Sequence, residues 1–249
     1  MRILTMGDSI MQYNDCTTYP NTGWVQMLPL FFPQGTEILN FARNGRSTKS
    51  FIDEGRFERV RTEAQAGDIV LIGFAHNDEK SNDSTRYTDA RSLFRKNLAY
   101  FITELRAVGA LPILLTPVAR RKFDENGVLE DTHGEYPEAV RIVAAEQQVP
   151  CIDLTTLSMA ALEKIGCETS KGLFMNFPPH LYTNYPEGKS DNSHLRPDGA
   201  FLISRLAATE FTKLSADWPA YADFAKSVIV FAADREALDK EIQDEKLMA

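Results

Sequence analysis

The chain has 249 residues, is 43% hydrophobic, and carries 27 basic against 35 acidic residues for a net charge of −8. That is enough for one large globular domain, or two small ones, with a buried core. The acidic balance disfavours general nucleic-acid binding, which needs a basic field, and no apolar run reaches the ~18 residues of a membrane span.

In chain order, the first strand is read over 2–6, the apolar run ending at Met6, and Gly7-Asp8-Ser9-Ile10 follows it directly. A serine where a strand ends and a helix begins can serve as a nucleophile, although alone it is more often a helix cap. A helix is expected over 23–32 and a second strand over 37–41, followed by Ala42-Arg43-Asn44-Gly45-Arg46-Ser47-Thr48. Gly45 lets backbone approach a ligand and can offer an unobstructed N–H, or it simply makes a left-handed turn. After a helix over 50–63 comes the third strand, 68–74, and then Ala75-His76-Asn77-Asp78. Asn77 can aim a side-chain N–H at an oxyanion, or belong to a turn rich in Asn and Asp.

A helix over 90–108, strands at 111–116 and 150–154, and helices over 136–148 and 196–214 complete the regular part. The polar stretch 120–135, with Asn126-Gly127 as a turn signal, reads as a loop or small hairpin over the site. Residues 174–192, with Pro178-Pro179, read as an irregular approach to Asp191-Asn192-Ser193-His194. The tail after Trp218 reads as helical, with Ile229, Phe231 and Leu238 among charges. These assignments divide the chain into a domain over 1–214 and a C-terminal helical extension over 215–249, packed on the body or on a partner.

The strands are continuously apolar rather than alternating, which fits a sheet covered on both faces. The βαβ alternation therefore predicts one parallel sheet wrapped by helices, with ligands at the carboxyl ends of its strands. Ser9, Gly45 and Asn77 all fall on that edge. A hydroxyl needs a base, and the base an orienting partner. Asp191 and His194 supply both, 185 positions from the serine, so the fold must bring them together. Of the four histidines, His76, His133, His180 and His194, only the last has an acid three residues ahead just before a helix start.

Other chemistry is not visible. Gly188-Lys189-Ser190 lacks the leading glycine of a P-loop, and there is no GxGxxG, HExxH or GxSxG pattern. Cys16, Cys151 and Cys167 are odd in number with no CxxC pair. Neither a disulfide framework nor a zinc site is expected, and reduced thiols in a cytosol are the simpler reading. Met1-Arg2 runs straight into the first strand with no signal-peptide pattern. The expectation is a cytoplasmic protein, although a secreted mature form would read the same way.

Taken together, these blocks resemble the SGNH (GDSL-type) hydrolases, from residue 1 to about 212. The hallmark residues of that family would be Ser9, Gly45, Asn77 and His194, with Asp191 as the triad acid. The resemblance implies a three-layer α/β/α, flavodoxin-like fold with a five-stranded parallel sheet. It also implies an oxyanion site made by the N–H groups of Ser9 and Gly45 with the Asn77 side chain.

A narrower resemblance, to rhamnogalacturonan acetylesterases, is carried by residues 44–51, Glu54-Gly55-Arg56-Phe57 and 74–78. That subfamily has glycine where this chain has Ala75, and His76 is typical of it. The resemblance implies a serine esterase that removes acetyl groups from pectin-derived oligosaccharides through an acyl-enzyme, with no cofactor or metal. Asp8, Arg46 and His76 are candidate substrate-binding residues. Arg43, Arg46, Lys49 and Arg56 either pair with uronate carboxylates or form a solvated basic face. Tyr182, Tyr185 and Arg120 favour sugar over lipid, and His133, Glu135 and Tyr136 are possible lining residues from the polar loop. Two other readings remain: another esterase of the family (a general carbohydrate acetylesterase, lysophospholipase or thioesterase), and a carbohydrate-binding descendant without turnover. The oligomeric state is not assigned.

Overall fold

A computed structural model of the chain describes residues 1–229. Its centre is a five-stranded parallel sheet: β1 (Arg2–Gly7), β2 (Glu37–Asn40), β3 (Ile69–Gly73), β4 (Leu111–Leu115) and β5 (Cys151–Ile152), in the order β2-β1-β3-β4-β5. Successive strand residues point to opposite faces, and here each face has its own apolar cover. Ile3, Ile69, Leu71, Ile113 and Leu115 join Trp24, Leu28, Phe31 and Phe211 in one core. Leu4, Met6, Val70, Ile72 and Leu114 join Phe51, Phe57, Phe94 and Phe101 in the other. Burial on both faces is why the strands read as unbroken apolar runs, and the result is the three-layer α/β/α arrangement expected.

The second core is closed by α1 (Thr48–Asp53), α2 (Arg56–Glu63), α3 (Leu93–Ala107) and α4 (Tyr136–Gln147). The first is closed by α5 (Leu154–Ile165) and by α7 (Pro197–Asp217), which follows the short α6 (Cys167–Ser170). Strand order reverses between β1 and β3, which both leave the sheet on the same edge. In open α/β sheets this reversal opens a crevice beyond the strand ends. The last paired residues there are Gly7 and Gly73. A Cβ on Gly7 would lie 2.4 Å from the Gly73 carbonyl oxygen, so only glycine allows the two chains to part at this point.

Several elements differ from the sequence reading. No helix starts at Ser9. The Asp8 carboxylate accepts the Ile10 N–H at 3.0 Å and closes a turn instead, and the expected helix over 23–32 is two 3-10 turns, Trp24–Gln26 and Leu28–Phe31. The helix over 50–63 is broken into α1 and α2 by Gly55 at φ +65°. Helix α5 begins inside the strand predicted over 150–154, with the Asp153 side chain accepting the Thr156 N–H as its cap.

The stretch expected to be irregular contains an antiparallel pair, β6 (Phe174–Phe177) with β7 (Lys189–Leu195). Beyond α7, Pro219–Tyr221 and α8 (Ala222–Ser227) fold back on the body. Tyr221 and Phe224 enter the first core, and the Tyr221 hydroxyl donates to the Pro112 carbonyl at 2.8 Å. Phe231 and Leu238, assigned to the helical tail, lie outside the described residues. Among those described, no helix is long and apolar enough to cross a membrane, and no group of three or more His, Cys, Asp or Glu side chains could hold a metal ion.

Candidate active site

Beyond β1, the Asp8 turn leaves Ser9 partly exposed at the crevice. Its Oγ lies 3.0 Å from His194 Nε2, and His194 Nδ1 lies 2.8 Å from Asp191 Oδ2. With the Nδ1–H given to Asp191, Nε2 is left to accept the serine proton. The sequence placed the acid and histidine at the end of an irregular approach, but both residues lie on β7. Register slips there, so Met175 faces Asp191 while the preceding Phe174 faces Leu195. The surplus residues bulge, and Asp191 Oδ1 accepts the backbone N–H groups of Ser193 at 2.8 Å and His194 at 3.0 Å. That local turn brings the carboxylate and imidazole together. Burial alone would push Asp191 up, but the bonds from His194 and Ser193 outweigh it and hold the carboxyl well below the usual carboxylate range.

The loop after β2 is stitched to the end of β1. The Arg43 N–H donates to the Gly7 carbonyl at 3.0 Å, and the Asn44 N–H donates to Gln12 Oε1 at 2.5 Å. Gly45 then turns at φ +77°. A Cβ there would find only Arg86 Nη1, at 3.9 Å, so its backbone faces open space.

After β3, Asn77 is 3% exposed. Its Nδ2 donates to the Arg46 carbonyl at 3.1 Å, while its Oδ1 accepts from Lys80 Nζ at 2.9 Å and Arg86 Nη1 at 3.3 Å. The next residue, Asp78, is buried and clamps the two loops. It accepts the Thr48 N–H at 3.0 Å, the Thr48 hydroxyl at 2.5 Å and the Thr88 hydroxyl at 2.7 Å.

Ser9, Gly45, Asn77, His76, Ser193 and His194 share a cleft of about 200 Å³ whose rim carries Lys80, Arg86 and Arg120. Two wider depressions continue from it. One, of about 480 Å³, shares Gly45 and Arg86 and extends over Arg46 and Lys49. The other, of about 530 Å³, shares Lys80 and Arg120 and extends over His133, Glu135 and Tyr136.

Asp8, expected to bind substrate, is 2% exposed and does not line the cleft. Its carboxylate lies 3.2 Å from His76 Nδ1. Burial works against its charge, yet His76 and the Ile10 N–H outweigh that and keep its pKa below the ordinary value. Burial drives His76 the other way, down to about 4, so the imidazole that borders the cleft is neutral.

Arg46 lines the adjoining depression and is held by Glu54, which also pairs with Arg56, while Lys49 lies 3.8 Å from Asp53. Of the cations singled out in the sequence, Arg46, Lys49 and Arg56 thus face carboxylates. Tyr182 packs on Phe177 and Tyr19 beneath the Arg196 guanidinium, and the Tyr185 hydroxyl donates to the Thr18 carbonyl. Neither tyrosine lines the cleft. Lys80 and Arg86 were missed. The charged run Asp78-Glu79-Lys80 directly after Asn77 was the one signal that could have found them.

The five-stranded flavodoxin-order sheet carries a serine, a glycine and an asparagine at three successive strand ends, and its family and relatives make the chain a hydrolase of carboxylic esters. A model of the GDSL-like lipase/acylhydrolase family matches residues 5–175, and the chain belongs to that family. It is similar to the rhamnogalacturonan acetylesterase RhgT of Bacillus subtilis, with 38% identity over 86% of this chain and 90% of that one. Similarity to the probable rhamnogalacturonan acetylesterase YesY of the same organism is 33%, over 85% and 93% of the two chains. Among solved structures, the YxiM protein of B. subtilis superposes with a TM-score of 0.74 at 26% identity. The match covers 86% of this chain and 57% of that longer one.

Proposed function

We propose that the protein is an acetylesterase of rhamnogalacturonan-type oligosaccharides, with residues 1–214 as the hydrolase domain. The observation that carries this reading is the unbroken relay from Ser9 Oγ through His194 to Asp191, with Ser9 and His194 lining a small cleft. Ser9 Oγ attacks the acetyl carbonyl carbon while His194 Nε2 takes its proton. The carbonyl oxygen becomes an oxyanion held by the Ser9 and Gly45 N–H groups and Asn77 Nδ2. Collapse breaks the ester bond, and the sugar oxygen leaves with the proton from His194. A water molecule, deprotonated by His194, then attacks the acetyl-serine, and acetate and free Ser9 result. Asp191 fixes the imidazole tautomer and stabilises its cationic form. Loss of one oxyanion donor typically costs about 3 kcal/mol in the transition state.

Substrate class is supported by shape and charge as well as by the names of the relatives. Apart from glycine, Ile10 is the only apolar residue lining the cleft among the described residues, which suits an acetyl group better than a long acyl chain. The flanking depressions give room for sugar residues on both sides of the scissile ester. Lys80, which has no carboxylate within ion-pair distance among the described residues, suits a uronate carboxylate, while Arg86 and Arg120 are paired with Asp83 and Glu79. For Arg43, Arg46, Lys49 and Arg56 the same role stood beside that of a solvated basic face.

The test is acetate release from acetylated rhamnogalacturonan oligosaccharides, beside acetylated xylan oligomers and p-nitrophenyl acetate, with Ser9→Ala as control. Release from the first substrate at the highest kcat/KM, lost by at least about a thousandfold in Ser9→Ala, is the expected result. Equal or better turnover of xylan oligomers would overturn the substrate assignment, and turnover independent of Ser9 would overturn the mechanism.

A further inference from the structure

The side-chain amide of Asn77 can sit in two orientations that differ by a half-turn, and only one presents N–H to the cleft. Its surroundings in this protein are one-sided. Lys80 Nζ and Arg86 Nη1 lie 2.9 and 3.3 Å from one end of the amide, and neither group can accept a hydrogen bond. The Arg46 carbonyl lies 3.1 Å from the other end and cannot donate. Two obligate donors and one obligate acceptor fix the amide with Oδ1 on the cations and Nδ2 on the carbonyl of Arg46, the residue after Gly45. Nδ2 carries two hydrogens and makes one bond among the described residues, so the second remains available to the cleft.

We infer that Lys80 and Arg86 are positioning residues for catalysis: they lock Asn77 in its donor orientation and polarise its amide. A positive charge at the carbonyl end draws electron density towards Oδ1 and makes the Nδ2 hydrogens better donors to a developing oxyanion. The two cations are not equivalent. Arg86 is also bound to Asp83 at 2.6 Å, which spends part of its charge. Lys80 has no carboxylate within ion-pair distance among the described residues, and its bond to Asn77 is the shorter. Lys80 therefore carries most of the effect. The arrangement also explains why two cations stand at the mouth of a site whose proposed acetyl group is neutral. Their action on Asn77 is felt by every ester, whether or not the substrate carries a uronate.

The inference rests on Asn77 as an oxyanion donor, and the experiment separates the two. Asn77→Ala alone tests the donor and should lower kcat for p-nitrophenyl acetate about 10²–10³-fold. Lys80→Met should lower kcat on this neutral ester about tenfold with KM little changed, because the lost term acts only on the oxyanion. Lys80→Arg should recover most of that loss. In the Asn77→Ala background, Lys80→Met should cost no more than about twofold, since the residue it positions is gone. The same tenfold loss in both backgrounds would overturn the inference and make Lys80 an independent electrostatic element. A loss confined to KM on uronate-bearing oligosaccharides would also overturn it and make Lys80 a substrate ligand only. If Asn77→Ala itself is silent, the donor reading fails instead.

Discussion

Ala75 holds φ +143° while fully buried, a backbone region that glycine enters freely and a side chain does not. It stands directly between the end of β3 and His76-Asn77, so the strain lies where the chain turns the amide towards the cleft. Holding such a conformation costs of the order of 1–3 kcal/mol. Replacing a buried alanine by glycine ordinarily loses about 1–2 kcal/mol, from the methyl group and the freer unfolded chain. At this position relief of strain offsets that loss. Ala75→Gly is therefore predicted to stay within about 1 kcal/mol of the parent by chemical denaturation, and a loss above about 2 kcal/mol would contradict the account. At this scale, Ser9, Asp191 and His194 were legible as a set because a hydroxyl, a base and an orienting acid complement one another, and the structure brings the three within hydrogen-bond distance. Lys80 and Arg86 were not, because their part depends on which end of one amide they face. Asp8 was misread because its closeness to Ser9 in sequence says nothing of the opposite direction its carboxylate takes.

The loops that carry Gly45 and Asn77 are joined through Asp78, whose carboxylate is enclosed by Thr48 and Thr88. Burial raises its pKa from 3.8 to about 7, against the hydrogen bonds that favour its charge. Between those values the folded state keeps the proton that the unfolded state releases. The stability Asp78 supplies is complete at low pH and is lost as pH rises through about 7. Asparagine cannot titrate. Asp78→Asn should therefore be less stable than the parent at pH 5, and thermal unfolding should show that gap narrowing by pH 8. A constant or widening gap would contradict the assignment. The five strands and helices α3, α4 and α7 were legible to within a few residues, because burial on both sheet faces leaves continuous apolar runs and α3 has a clear apolar stripe, whereas α5 (Leu154–Ile165) was not foreseen. The β6–β7 pair was not. β7 is polar through Ser193, its partner is followed directly by Pro178-Pro179, and a bulge erases the alternation that marks a strand. That unreadable bulge is the feature that sets Asp191 against His194.

Across the whole molecule, the site exists only through topology. Ser9 follows the first strand and His194 precedes the last long helix, and they meet at 3.0 Å across 185 positions of chain. The crossover order β2-β1-β3 opens the crevice, and α7 packs against the 3-10 turns that follow Ser9. The Ser204 hydroxyl contacts the Trp24 carbonyl, and the Thr22 N–H donates to the Leu195 carbonyl at 2.9 Å. Both ends of the relay are thereby fixed to one body. Around this cleft the protein places Lys80, Arg86 and Arg120 on a chain of net charge −8, with Asp83 and Glu79 paired to the two arginines. The central claim is that Ser9 takes the acetyl group during turnover, and the most direct measurement is rapid acid quench during hydrolysis of an acetyl ester, followed by peptide mass mapping. The account predicts an acetyl adduct on Ser9 that forms within the first turnover and is absent from Ser9→Ala. Steady turnover with no adduct at Ser9, undiminished in Ser9→Ala, would contradict it.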